Sequence, residues 1–154
     1  MIYISHRGNL NGRIPDRENS PAYVDEAIAA GFEVEVDLRV VDGIFYLGHL
    51  GPEHIIDDDW LYQRKNKLWL HLKNYDAVYE MSKLNGFKYF CNQKDDFSMF
   101  SNGYILYWNR DPNDSPNEKC LVPLETLEQV ETYTKTGFGG IISNHIIKCK
   151  EKFK

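Results

Sequence analysis

Cysteine is scarce in this sequence, and the few cysteines do not form a recognisable pattern. Cys91, Cys120 and Cys149 are odd in number, widely spaced and outside any C-x-x-C arrangement. A disulfide framework or a zinc knuckle is therefore not expected, and we interpret all three as reduced thiols.

An excess of basic residues and long apolar runs are also missing. The chain has 18 lysines and arginines against 23 aspartates and glutamates, so its net charge is -5. This balance argues against a broad basic surface that would bind nucleic-acid phosphates. No stretch approaches the roughly 20 apolar residues of a membrane span, and the first residues lack a leader pattern. We expect no nucleic-acid partner, no membrane span and a cytoplasmic location.

The remaining composition is that of an ordinary globular protein. The 154 residues are 42% hydrophobic and 27% charged. A chain of this length can bury one core and is too short to divide comfortably into two, so residues 1–154 are expected to form a single domain. No internal repeat stands out, and the turn-rich segment Asp111–Asn117 is predicted to be a loop.

Strand-like and helix-like patterns alternate along the chain. Short apolar or β-branched runs predict strands at Ile2–Ser5, Val34–Val40, Ile44–Leu47, Leu68–Leu72, Tyr89–Cys91, Tyr104–Trp108, Cys120–Val122 and Gly140–Ser143. Helical patterns, each closed by a glycine, occur at Ser20–Ala30, Asp76–Asn85 and Leu124–Thr136. Such repetition is typical of an α/β protein with a mainly parallel sheet. Periodicity alone does not separate an open sheet from a closed barrel.

Three acidic residues alternate with aliphatic residues between Glu33 and Leu38. Because side chains alternate faces along a strand, Glu33, Glu35 and Asp37 share one face. One interpretation is an exposed edge strand with a wet acidic face. The other is a metal site, because a divalent cation with oxygen ligands holds repelling carboxylates together.

A second strand pattern offers complementary groups. In Leu68–Lys73 the leucines share one face, and Trp69, His71 and Lys73 share the other. If this strand lies beside the acidic one, His71 and Lys73 will lie near the two carboxylates, at the carboxyl ends of the strands. A surface strand with a lone histidine is the alternative.

The first predicted strand ends in His6-Arg7-Gly8, which suits a phosphate group. Histidine moves protons near neutral pH, and arginine binds two phosphate oxygens at once. On its own this tripeptide is a weak signal.

Taken in order, the motifs resemble those of the glycerophosphodiester phosphodiesterases, a family of the phospholipase-C-like barrel superfamily. They are His6-Arg7-Gly8, Glu18-Asn19-Ser20, Glu35-Val36-Asp37 and Gly48-His49, with a faint match at Gly139 to Asn144. The resemblance is specific over the first third of the chain. It implies a small, trimmed TIM-type (β/α) barrel of seven or eight mainly parallel strands, in which loops replace some helices.

The resemblance also implies roles for individual residues. His6 and His49 would be the general acid and base of phosphodiester cleavage, and Glu35 and Asp37 would bind a divalent metal ion, Mg²⁺ or Ca²⁺. Arg7, Glu18 and Lys73 would position the phosphate and the metal-bound oxygens. The expected function is metal-dependent hydrolysis, or cyclising cleavage, of a small glycerol- or sugar-linked phosphodiester.

Three positions depart from the family pattern. His71 occupies the place of an acidic third metal ligand, Leu50 stands where the family has aspartate after the second histidine, and Asn144 replaces an aspartate of the final strand. We expect His71 to act as a third metal ligand or as a donor to the phosphate, which would favour Mn²⁺ or Zn²⁺. A buried neutral histidine is the other possibility at this position. For the whole protein, the alternatives are a non-catalytic barrel that binds phosphate or metal and an interaction module with an acidic edge strand.

Overall fold

A computed structural model describes residues 1–92, 94–108 and 116–154, so most of the predicted loop Asp111–Asn117 lies outside the described residues. The described strands are β1 (Ile2–His6), β2 (Glu33–Val41), β3 (Ile44–Leu47), β4 (His54–Ile56), β5 (Leu68–Leu72), β6 (Lys88–Phe90), β7 (Phe97–Met99), β8 (Ile105–Tyr107), β9 (Cys120–Pro123) and β10 (Gly140–Ser143). The helices are α1 (Pro21–Ala29), α2 (Asp58–Gln63), α3 (Tyr75–Ser82), α4 (Leu127–Thr132) and α5 (Ile146–Lys152).

The ten strands form one sheet, in which β2 has the most neighbours. Strands β1 and β5 flank the first part of β2, and both run parallel to it. Parallel pairing continues from β5 to β6 on one side and through β1, β10, β9 and β8 on the other. Antiparallel pairs join β2 to β3, β3 to β4 and β7 to β8.

The predicted TIM-type barrel of seven or eight mainly parallel strands is therefore wrong. The described residues form a mixed sheet of ten strands that curls like half a barrel and stays open, with only five short helices. Two strands that the sequence patterns did not predict, His54–Ile56 and Phe97–Met99, each extend the sheet by an antiparallel pair. Because consecutive strands pair through tight turns here, no helix is needed to connect them.

The hairpin between β2 and β3 begins this departure. Asp42 and Gly43 both have positive φ angles, 51° and 76°, which matches the two-residue turn that joins antiparallel strands. The chain therefore reverses directly instead of crossing over through a helix. Strand β4 then adds to the same edge.

Apolar residues fill both faces of the curled sheet. On the outer face, the aliphatic residues of β2 and β5 pack with α1 and α3 in a layer that includes Val24, Val36, Leu70 and Met81. On the inner face, an aromatic cluster includes Trp69, Phe90 and Phe100. The acidic face of β2 turns toward this inner side, between the aromatic cluster and solvent.

Local signals in the sequence explain where the helices begin. Ser20 caps α1 ahead of Pro21, and Asp57 caps α2 by accepting a hydrogen bond from the Trp60 backbone at 2.7 Å. Helix α4 ends at Thr132, four residues before its predicted end. None of the helices in the described part of the chain has the length and apolarity needed to cross a bilayer.

Candidate functional site

The two carboxylates proposed for the metal lie on a central strand. Glu35 is aligned with His6 on β1 and with Trp69 on β5, and Asp37 is aligned with His71. Glu35 is 3% exposed and Asp37 is fully buried. The interpretation of this strand as a wet acidic edge is therefore wrong.

Glu35, Asp37 and His71 form a compact cluster, in which one ligand atom from each lies within 4.8 Å of the others. His71 Nδ1 is 3.4 Å from Asp37 Oδ1 and 3.8 Å from Glu35 Oε1. Among the described residues, Asp37 Oδ1 and Glu35 Oε2 are buried side-chain oxygens with no hydrogen-bond partner. Buried acceptors of this kind are costly unless a cation or a donor satisfies them. Two carboxylate oxygens and an imidazole nitrogen are ligands that bind a divalent cation.

The environment shifts the pKa values of the two carboxyl groups in opposite directions. Burial, together with the neighbouring Asp37 charge, raises the pKa of Glu35 well above its ordinary value. Burial also acts to raise the pKa of Asp37, but the His71 contact and the Arg7 charge outweigh it and hold that pKa below its usual range. Burial lowers the pKa of His71, which favours the neutral form that ligates metals.

Glu33, the third acid on this face, does not join the cluster. Its Oε2 accepts hydrogen bonds from Trp69 Nε1 and Lys88 Nζ, both at 2.6 Å. Lys88 also lies over the Trp69 ring. Glu33 therefore supports the inner core at the start of the parallel strands, away from the candidate metal ligands.

Arg7 joins the carboxylates to the rest of the site. Its Nε lies 2.9 Å from Asp37 Oδ2, its Nη1 donates to Glu18 Oε2 at 3.2 Å, and its Nη2 donates to His49 Nδ1 at 2.7 Å. Arg7 has a φ of 56°, and Gly8 follows with a φ of 92°. A left-handed conformation is uncommon for arginine and is kept only where surrounding contacts impose it.

His6 lies at the end of β1, between the carboxylates and the last strand. Its Nε2 is 3.6 Å from Glu35 Oε2, and its Nδ1 is 2.9 Å from Asn144 Oδ1. Burial, reinforced by the Arg7 charge, lowers the pKa of His6. His6 is therefore largely neutral near neutral pH.

His49 reaches the site from the loop that follows β3. Arg39 holds this loop by donating to the backbone oxygens of Gly48 and His49, at 3.0 and 2.7 Å. The imidazole is 40% exposed, and its Nδ1 lies 3.3 Å from Asp37 Oδ2. Leu50, at the position of the family's aspartate, is 89% exposed.

Both histidines border one open cavity of about 330 Å³. Its polar wall includes His6, Arg7, Glu35, His49 and His71. The remaining lining includes five apolar or aromatic residues, Phe90, Leu106, Trp108, Pro123 and Ile142, and is completed by Arg13, Glu125 and Asn144. The cavity thus combines a reactive polar surface with an apolar one.

Lys73 lies beside Asp37, and Glu18 lies beside Arg7. Lys73 Nζ is 3.9 Å from Asp37 Oδ1. Burial acts to raise the pKa of Glu18, yet hydrogen bonds from Arg13, Asn9 and Arg7 lower it to about 2. The structure therefore brings together all eight residues that the sequence singled out. Each of them contacts at least one other.

Sequence reasoning did not assign roles to several amide side chains in this site. Asn19 clamps Asp37 by donating to Oδ2 and accepting from the backbone nitrogen, both at 3.0 Å, and it has a φ of 62°. Asn9 is fully buried and bonds both Glu18 and Asn144. The signal in the sequence was the position of Asn9 directly after the His6-Arg7-Gly8 motif. A buried amide at that position needs several hydrogen-bond partners, and the polar residues of the site supply them.

Comparison of the chain with protein family models, with curated proteins and with solved structures finds no match. The resemblance to glycerophosphodiester phosphodiesterases therefore rests on the sequence motifs, and a proposal about function rests on the geometry of the candidate site.

Proposed function

We propose that this protein cleaves a small glycerol- or sugar-linked phosphodiester in a reaction that depends on one divalent cation. The observation that carries the proposal is the cluster of Glu35, Asp37 and His71, two members of which line one open cavity together with His6, His49 and Arg7. Carboxylates for a cation, an arginine for a phosphate and two imidazoles for protons are the groups that such a reaction requires.

Glu35, Asp37 and His71 fit a cation because Glu35 Oε2 and Asp37 Oδ1 are buried oxygens without a hydrogen-bond partner. When bound there, a divalent cation neutralises charge on the phosphoryl oxygens. Arg7, which lines the cavity, would orient a phosphate there, and Lys73 adds positive charge beside Asp37. The presence of a nitrogen ligand favours Mn²⁺ or Zn²⁺ over Mg²⁺ or Ca²⁺.

The two histidines supply proton transfer. One imidazole takes the proton from the attacking hydroxyl as the new phosphorus–oxygen bond forms. The other gives a proton to the departing alcohol oxygen as the old bond breaks. If the nucleophile is water, the product is a phosphomonoester, and if it is a neighbouring substrate hydroxyl, the product is a cyclic phosphodiester.

The dimensions of the cavity limit the substrate. About 330 Å³ accommodates a phosphodiester with a small alcohol, since ligand sites for drug-sized molecules span roughly 300–1,000 Å³. Trp108 and its apolar neighbours offer a surface for the carbon skeleton of that alcohol. The net charge of the chain makes long polyanions poor partners.

A variant with Glu35→Gln and Asp37→Asn tests the proposal. Calorimetric titration with Mg²⁺, Ca²⁺, Mn²⁺ and Zn²⁺ and cleavage of a simple aryl phosphodiester are measured in parallel. We expect the parent to bind at least one of these ions and to cleave the ester, and the double variant to lose both properties. Asp58→Asn with Asp59→Asn is the matched control, because it removes the same charge from exposed positions on α2. Equal ion binding and cleavage by the parent and the double variant would refute the proposal.

The second candidate is a non-catalytic barrel-like sheet that binds phosphate or metal. The observation favouring it is Asn144, which presents a neutral amide to His6 where the family has an acid. Such a protein would bind an ion and inorganic phosphate in the same calorimetric titration and would leave the aryl phosphodiester intact.

A further inference from the structure

A chain of buried hydrogen bonds leads from Glu18 to His6. Glu18 is a carboxylate and only accepts hydrogen bonds. Asn9 Nδ2 donates to Glu18 Oε1 at 2.9 Å and also to Asn144 Oδ1 at 3.0 Å. Asn144 Oδ1 in turn lies 2.9 Å from His6 Nδ1. The four side chains thus form one continuous connection inside the protein.

The orientation of the Asn9 amide is fixed by its partners. Its nitrogen must face Glu18, because a carboxylate does not donate. Its oxygen accepts a hydrogen bond from the backbone nitrogen of Ile14 at 3.1 Å. A flipped amide would place two acceptors against each other at Glu18 and two donors at Ile14.

The orientation of Asn144 follows from that of Asn9. Asn144 Oδ1 receives the Asn9 Nδ2 hydrogen bond, and Asn144 Nδ2 donates to the backbone oxygen of Glu125 at 3.1 Å. The atom that faces His6 is therefore an oxygen acceptor. His6 must be the donor in this contact, so its Nδ1 carries a proton.

We propose that Asn144, oriented by Asn9 and Glu18, is a positioning residue that keeps a proton on Nδ1 of His6 and thereby directs Nε2 toward Glu35 and the cavity. The catalytic role of this tautomer rests on the proposed function. The hydrogen bonds that determine the tautomer do not depend on that function. Fixing the tautomer of an imidazole through its second nitrogen is how proteins prepare a histidine for proton transfer.

His49 provides an internal contrast. Arg7 Nη2 donates to His49 Nδ1 at 2.7 Å, and a guanidinium has no acceptor. Neutral His49 therefore carries its proton on Nε2, the opposite arrangement from His6. Asn144 thereby makes His6 the proton acceptor of the pair, whereas Arg7 leaves His49 with a proton to donate.

Nitrogen NMR of the parent protein tests the tautomers directly. The ¹⁵N-labelled protein is measured with a chelator at about pH 8, above the pKa of a free histidine side chain. A His6→Gln and a His49→Gln variant assign the signals. We expect a protonated Nδ1 and an unprotonated Nε2 for His6, and the reverse for His49. A His6 signal with the proton on Nε2 would overturn the inference.

Variants of Asn144 test the positioning role. Asn144→Asp keeps an oxygen acceptor and should keep the Nδ1-protonated signal, whereas Asn144→Leu should give mixed tautomers. In the cleavage assay we expect kcat of the leucine variant to fall roughly 10–100-fold with KM little changed. The exposed Asn85→Leu serves as the control. A pure Nδ1-protonated His6 in folded Asn144→Leu protein would contradict the role of Asn144.

The two proposals fail separately. Opposite tautomers of His6 and His49 in a protein that does not cleave the ester would support the positioning chain and refute the proposed function. The tautomers of His6 and His49 are measured on the parent protein. A leucine variant that fails to fold therefore does not affect the tautomer measurement.

Discussion

Glu35 and Asp37 lie two residues apart on the same face of β2, yet the pKa of Glu35 is raised and that of Asp37 is lowered. Asp37 contacts Arg7, Lys73 and Asn19, which stabilise its charge. Glu35 is as deeply buried but lies next to that charge, so its neutral form is favoured. Without a cation, the carboxyl group of Glu35 is therefore protonated much more readily than that of Asp37. Binding a cation would provide the missing compensation for Glu35.

This asymmetry predicts different stability effects of two isosteric substitutions in the metal-free protein. Glu35→Gln should change the free energy of unfolding by no more than about 1 kcal/mol at neutral pH, because the amide removes a charge that burial and the Asp37 carboxylate disfavour. Asp37→Asn should cost about 3–5 kcal/mol, because it removes one of the two buried carboxylates that balance the Arg7 charge. Urea denaturation with a chelator measures both.

Asp25→Asn is the control for this comparison, since Asp25 also pairs with an arginine, Arg64, but has a side chain that is 44% exposed. That variant should lose less than about 1 kcal/mol. Equal destabilisation by Glu35→Gln and Asp37→Asn would contradict the asymmetry.

The two histidines at the cavity predict a loss of rate without a loss of structure. Replacing His6 or His49 with alanine should reduce cleavage of an aryl phosphodiester roughly 10²–10⁴-fold, because each variant loses one proton-transfer group. Circular dichroism checks that the fold is kept. His54→Ala is the matched control, because His54 lies on β4 and outside the cavity lining. A parent-like rate in either site variant would remove that histidine from the catalytic pair.

Glu18 predicts a pH dependence of stability that can be isolated by one substitution. Its pKa in the folded protein is about 2, below the ordinary glutamate value of 4.5. A depressed pKa stabilises the fold above the unfolded-state pKa, and this contribution is lost as pH falls through the folded-state value. Glu18→Gln should therefore be less stable than the parent by about 1–2 kcal/mol at neutral pH, after allowance for solvent screening.

The difference between parent and Glu18→Gln should shrink as the pH falls from about 4.5 toward about 2. Urea denaturation of both proteins across this range provides the measurement. A difference that stays constant with pH would show that packing, rather than the Glu18 charge, supports the site.

The sequence predicted much of the site because strand alternation is a local property. Two-residue periodicity predicts that Glu35 and Asp37 share one face of β2 and that His71 and Lys73 share one face of β5. In the structure the two strands are neighbours, and these side chains lie on the same side of the sheet. The overall fold was predicted less well. The Asp42-Gly43 turn already indicated a hairpin, but the resemblance to a barrel family led to the expectation of parallel crossovers.

The hydrogen-bonded amides could not be predicted from periodicity. Asn9 and Asn144 lie 135 positions apart in the chain, and their contact depends on β1 pairing with β10. No local pattern encodes that pairing. Asn144 entered the sequence analysis only as a departure from the family, whereas in the structure it is the residue that orients His6.

The last prediction concerns the choice of metal by His71. Its Nδ1 faces both carboxylates, and its ring stacks on Phe90 with centroids 4.3 Å apart, which fixes its orientation toward the cluster. An imidazole in the third position should favour Mn²⁺ or Zn²⁺, and a carboxylate in its place should favour Mg²⁺ or Ca²⁺. His71→Glu should therefore reverse the ranking of the four ions in the cleavage assay and in calorimetry, whereas His54→Glu, the same change on β4, should leave the ranking as in the parent. If His71→Glu and the parent rank the ions identically, His71 does not ligate the metal, and its contact with Asp37 serves to hold that carboxylate in place.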